Sequence, residues 1–169
     1  METIAVYGMG QLRTALTGGI QAWRTINVLD GLMDSDQVIP DGLLSHKYRN
    51  ALLQNPGAGE ILPAMLDIPA VAGRCRQLIE AVTKSHSRTV LVLNTPGYMD
   101  IAGVSPMVTA IVFMGLAGQE GGAALTDLLT GRAAFSGKLA DTWPVRPDQF
   151  DTAGLRAAPY TRYPAHFGF

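Results

Sequence analysis

A chain of 169 residues with a net charge of −1 has room for one domain and a sizeable core. Apolar residues make up 47% and charged residues 16%, so the chain need not be disordered, and no run of like charge gives a nucleic-acid footprint or a basic membrane patch. A single cysteine, Cys75, rules out an internal disulfide and reads as a small apolar residue.

The opening METIAVYGMG has no basic stretch leading into an apolar core, so no secretory leader is expected. Together with the single cysteine, this makes the cytoplasm the expected location. Residues 3–7, TIAVY, read as a buried parallel strand ending at Gly8. Residues 25–33 carry Ile26, Leu29, Leu32 and Met33 at helical spacing. Residues 43–53 carry Leu44, Tyr48, Ala51 and Leu52 in the same way. The breaker cluster NPGAGEILP follows at 55–63.

Residues 71–84 predict an amphipathic helix with Cys75, Leu78, Ile79 and Val82 inward. TVLVL (89–93) and VTAIVFM (108–114) read as fully apolar strands. The uncharged run 101–119 approaches the length of a membrane span, but Pro106 and its glycines interrupt it. Residues 121–130 predict a helix with Ala124, Leu125, Leu128 and Leu129 on its apolar side and Gly131 as its C′ residue. KLADTW (138–143) is expected to form a last short strand. Apolar strands alternating with amphipathic helices predict an α/β fold, a three-layer αβα sandwich of flavodoxin-like type with a mostly parallel sheet. The domain is expected to span 1–144, with an irregular tail over 145–169.

GMGQLR (8–13) follows a strand, and Asp30 lies about twenty residues on, as in a dinucleotide fingerprint. The fingerprint needs a third glycine where Arg13 stands. Gly118, Gly121 and Gly122 flank a helix start and could cradle an anion, or could simply allow a tight strand-to-helix turn. Residue chemistry favours the turn. His46, His86 and His166 have no metal-ligand spacing, and no Ser stands in a G-x-S-x-G elbow, so no metal, cofactor or esterase triad is expected. Asp100 and Glu120 follow neighbouring strands and are placed to approach one another at the sheet's C-terminal edge, where open α/β sheets bind ligands.

Three ordered stretches carry a family resemblance. VLVLNTPGYMDI (90–101), TAIVFMGLAGQEGGAALTDLLTG (109–131) and FSGKLADTWP (135–144) resemble the C-terminal α/β domain of glycoside hydrolase family 3, the β-glucosidase and β-xylosidase group. IAVYGMGQLRTALTGG (4–19), TINVLDGL (25–32) and HKYRNALLQNPGAGE (46–60) resemble its first strand and following helices more loosely, and YPAHFGF resembles its closing segment. The resemblance implies hydrolysis of O-glycosyl bonds by two carboxylates in a retaining displacement. It places the nucleophile on a preceding (β/α)8 barrel, which 169 residues cannot hold beside this sheet. The expected partner is therefore a carbohydrate bound with a barrel domain or chain.

In the family the acid/base comes from a strand and loop before the helix at 71–84, and here that strand is not found. Glu60, in a Gly-Glu pair, is the remaining acid/base candidate, while Glu120, Asp100, Gly121 and Gly122 are expected to support or line the site, Glu120 as a buried anchor or lining group. The alternative is a non-catalytic binding or self-associating module. A lost strand would leave apolar surface uncovered, which favours homo-oligomers.

Overall fold

The computed structural model describes residues 2–12, 14, 25–54, 68–139 and 143. In chain order the elements are β1 (Glu2–Ile4), a 3-10 turn (Met9–Gln11), α1 (Val28–Met33), β2 (Val38–Pro40) and α2 (Gly42–Gln54). There follow α3 (Ile68–Ser85), β3 (Val90–Leu93), a 3-10 turn (Ser105–Met107), β4 (Ala110–Phe113) and α4 (Gly121–Leu129).

The fold is α/β, and every strand pairing among the described residues is parallel. β1 pairs with β2 in the register Glu2–Val38 to Ile4–Pro40, and β3 pairs with β4 in the register Val90–Ala110 to Leu93–Phe113. Among the described residues the expected single sheet takes the form of two parallel pairs. Side chains bring the pairs together: the Tyr7 and His86 rings meet edge to face with centroids 5.6 Å apart, and Arg88 lies 3.5 Å from Glu2.

The helices start and stop for local reasons. Asn27 caps α1, its side chain accepting from Asp30 N at 2.8 Å, and Asp30 in the first turn suits the helix dipole. Asp41 does the same for α2, its Oδ1 accepting from Leu44 N at 2.9 Å. α4 ends where Gly131 turns left-handed at φ +78, its amide donating to Leu128 O. This is the role expected of Gly131.

The core is small and lies between α1 and α4. Leu29 is 0%, Leu32 2% and Leu125 3% exposed, and each such burial contributes about 2 kcal/mol. Leu93 and Val104 are the other buried apolar residues among those described.

Several expected elements are corrected. The first strand stops at Ile4, leaving Ala5–Tyr7 outside it. Strand β2 was not anticipated; it is three residues long and closed by Pro40, too short for any period to register. α1 begins at Val28, because Ile26 N donates to Gln119 O at 2.8 Å and Ile26 O accepts from Gly122 N at 3.0 Å. Those bonds hold residue 26 outside the helix.

The expected inward face of α3 is only partly covered: Ile79 and Val82 are half-buried, whereas Cys75 and Leu78 are exposed. On α4 the covered side is Gly121, Gly122, Leu125 and Thr126, and Ala124 is exposed. Lys138 and Leu139 are not in a strand, and 140–142 lie outside the described residues. So do Glu60, His166 and the tail 145–169. Among the described residues no helix is long and apolar enough to cross a membrane.

Candidate functional site

β3 and β4 run parallel, so the loops that leave them, 94–100 and 114–120, emerge at one edge. Asn94 joins the two loops, its Nδ2 donating to Gly115 O at 2.7 Å. Gly115 takes φ +63, a conformation that favours glycine, so the β4 loop can turn toward that amide. Trp143 packs over the edge, its ring 5.7 Å from Tyr98 and 5.2 Å from Phe113, both edge to face. Desolvation first, and then the Asp100 carboxylate, raise the Tyr98 phenol above its usual 10.0.

The two carboxylates expected here, Asp100 and Glu120, are both exposed. Asp100 closes a local turn, Oδ1 accepting from Ala102 N at 3.1 Å. Glu120 stands at the start of α4 without a side-chain capping bond. It is therefore not the buried anchor expected from the sequence: its backbone turns the chain while its carboxylate faces solvent. No hydrogen bond or ion pair links Asp100 to Glu120 among the described residues.

Gly121 and Gly122 are buried, and their amides are already used. Gly121 N donates to Gly118 O at 2.9 Å, and Gly122 N to Ile26 O at 3.0 Å. An anion at this helix start would have to displace both carbonyls, so the turn reading holds and the anion cradle does not. A Cβ on Gly122 would overlap the Asn27 carbonyl and come within 2.7 Å of Ile26 O. A Cβ on Gly31 would overlap the Gly122 carbonyl and come within 2.8 Å of Ala123 N. The glycines let the start of α1 and the start of α4 touch backbone to backbone. Thr126 adds a buried bond across the same turn, its hydroxyl donating to Gly122 O at 2.9 Å.

The glycine loop after β1 is built differently. Gly8 takes φ +90, its N–H donates to the Tyr48 hydroxyl at 2.9 Å, and Gln11 Nε2 donates to Val6 O and Gly8 O, each at 3.0 Å. Asp30 sits inside α1 and lies 3.6 Å from Arg49, not at the end of a second strand. That position removes it from the ribose-binding role of a dinucleotide fold. Among the described residues no three of His, Cys, Asp and Glu gather as metal ligands. The sequence reading missed the Asn94 clamp and the Tyr98–Trp143–Phe113 ring cluster. An Asn directly after an apolar strand and a Trp before Pro144 were the available signals.

The fold and this edge define an α/β domain with parallel strands, whose C-terminal loops meet at one edge. The glycosyl hydrolase family 3 C-terminal domain matches residues 53–169, and the chain belongs to that family. The beta-glucosidase cel3A of Pyricularia oryzae is 41% identical over 68 residues, 39% of this chain and 9% of the relative. A beta-glucosidase of Rhizobium radiobacter is 38% identical over 81 residues, 47% of this chain and 10% of the relative. A beta-xylosidase/alpha-L-arabinofuranosidase of Medicago sativa subsp. varia is 33% identical over 99 residues, 54% of this chain and 13% of the relative. The chain thus matches a minor part of each of these proteins.

Solved structures agree on the fold. Beta-glucosidase 3B from Thermotoga neapolitana, in complex with glycerol, superposes with TM-score 0.75 at 20% identity, covering 94% of this chain and 29% of that one. A beta-glucosidase from Paenibacillus barengoltzii gives 0.72 at 22% identity, covering 90% and 22%.

Proposed function

We propose that the chain acts as the C-terminal domain of a β-glucosidase-type family 3 glycoside hydrolase and forms one side of a sugar site. The observation that carries this reading is the family match over 53–169, combined with relatives of which the chain covers so small a share. The nucleophile would come from a (β/α)8 barrel domain or chain, with the loops after β3 and β4 facing the sugar. Asp100 and the turn at Glu120, Gly121 and Gly122 would shape that lip. Glu60 is the proposed acid/base, on its Gly-Glu pair alone.

A retaining displacement needs two carboxylates on opposite sides of the bond, so this chain alone would not hydrolyse glycosides. The test is turnover of an aryl β-glucoside by the purified chain, with Glu60→Gln as a control. The reading expects no turnover by either protein. Turnover by the purified chain that is lost in Glu60→Gln would sink it, whereas equal turnover by both proteins marks a contaminant.

A second reading, a self-associating module that kept the fold, draws on a separate observation. Leu78, Val90, Met99, Phe113, Phe135 and Leu139 are all exposed, at 37% to 58%, which is apolar surface suited to burial against another molecule. Light scattering separates the two: a defined oligomer without a barrel favours the module, and a monomer that binds a barrel chain favours the domain.

A further inference from the structure

Helix α2 carries two adjoining stripes. Leu44, Tyr48 and Leu52 are half-buried on one, as their spacing predicts. On the other, Gly42, Ser45, His46 and Arg49 follow the i, i+3, i+4, i+7 pattern of a single stripe and line a groove of about 360 Å³. Across the groove stand Met33 at the end of α1 and Val38, Ile39 and Pro40 of β2. Ser35 is also in the lining, its Oγ accepting from Gln37 N at 3.1 Å. A stripe of Ser, His and Arg set against an apolar strand is the reverse of a covered helix face, which needs apolar side chains.

The polar groups of this stripe have hydrogen-bonding capacity to spare. Ser45 is 8% exposed; its amide donates to Asp41 O, but its hydroxyl has no partner among the described residues. The Ser45 hydroxyl is not fully buried, so it reaches the groove surface, where a ligand can meet it. Arg49 uses one NH2 group on Asp30 at 3.6 Å and Met33 Sδ at 3.2 Å, and makes no other hydrogen bond or ion pair among the described residues. His46 Nε2 accepts from Asn50 Nδ2 at 2.9 Å, which places the ring N–H on Nδ1.

Among the described residues no carboxylate lines the groove. Nearby acids have other roles: Asp30 faces Arg49, Asp36 pairs with Arg132 at 2.8 Å, Asp41 caps α2, and Asp34 is exposed.

We infer that this groove binds a small carboxylate with an apolar body. The carboxylate takes Ser45, His46 and Arg49, and the apolar part lies on Met33, Val38 and Ile39. The groove volume falls within the range of small-molecule sites, and apolar walls with a few convergent polar groups are their usual make-up. This inference does not depend on the carbohydrate reading.

The test is an amide-shift titration of the full-length chain with sodium benzoate, with benzyl alcohol as the uncharged probe of matching shape. Benzoate should give saturable shifts centred on Ile39, Ser45 and His46. Arg49→Met should weaken binding about tenfold, because a charge-assisted bond is lost, and Arg49→Lys should restore part of it. Arg49 makes only a long, exposed ion pair with Asp30 and an exposed contact to Met33 Sδ, so its variants should keep the wild-type thermal midpoint. No saturation up to about 10 mM benzoate, equal binding of benzyl alcohol, or an unchanged Arg49→Met would each overturn the inference.

Discussion

The loop after β1 and the loop before α4 look alike in the sequence, GMGQ at one and GQEGG at the other. Gly8 has open space around its Cα but a left-handed backbone, φ +90. Gly122 has no left-handed backbone, yet a Cβ there would meet the Asn27 and Ile26 carbonyls. One glycine is needed for conformation and the other for proximity. Glycine-rich turns at a sheet edge therefore do not by themselves indicate a ligand, and here the second one is a helix-packing contact.

Substitutions sharpen that contrast. Gly122→Ala should have the largest effect, about 4 kcal/mol or outright loss of cooperative unfolding in urea, because rigid backbone must move on both sides of the contact. Leu29→Ala, which empties the centre of the α1–α4 interface, should cost about 3 kcal/mol in the same assay. Gly8→Ala meets no atom and should cost about 1–2 kcal/mol from backbone strain alone. Equal costs for Gly8→Ala and Gly122→Ala would erase the distinction.

Smaller effects probe the β3–β4 lip. The Tyr98 phenol titrates above 10.0 in the folded chain. The stability linked to it is full below the ordinary phenol range and is lost as pH rises through the folded value. Asp100→Asn should lower that value, read by near-ultraviolet difference titration; an upward move would mean that Asp100 is not a cause. Smallest of all, Glu120→Gln should change stability by less than about 0.5 kcal/mol, because the carboxylate is exposed and makes no capping bond. A large loss on that substitution would restore the buried-anchor reading.

The class of fold was legible in the sequence because short apolar runs, VLVL and AIVF, alternate with longer amphipathic stretches, as strands and helices do in an α/β domain. The end of α4 was legible because Gly131 meets a rule that acts within one turn of helix. β2 escaped notice because three residues carry no period. Cys75 and Leu78 were read inward from spacing, but spacing gives a stripe and not the surface that covers it. The function of Gly122 was not legible, since the carbonyls it meets belong to Asn27 and Ile26, far away in the chain. The family was legible from three short motifs that stand in order along the chain, at 90–101, 109–131 and 135–144.

The central claim is that the turn before α4 is a packing device whose amides are occupied. Amide hydrogen exchange at Ile26 and Gly122 tests it most directly. Both donate across the α1–α4 contact, to Gln119 O and Ile26 O, so both should be protected to nearly the global unfolding free energy, with or without phosphate. Fast exchange at Gly122 that slows when phosphate is added would contradict the account and return the turn to an anion-binding role.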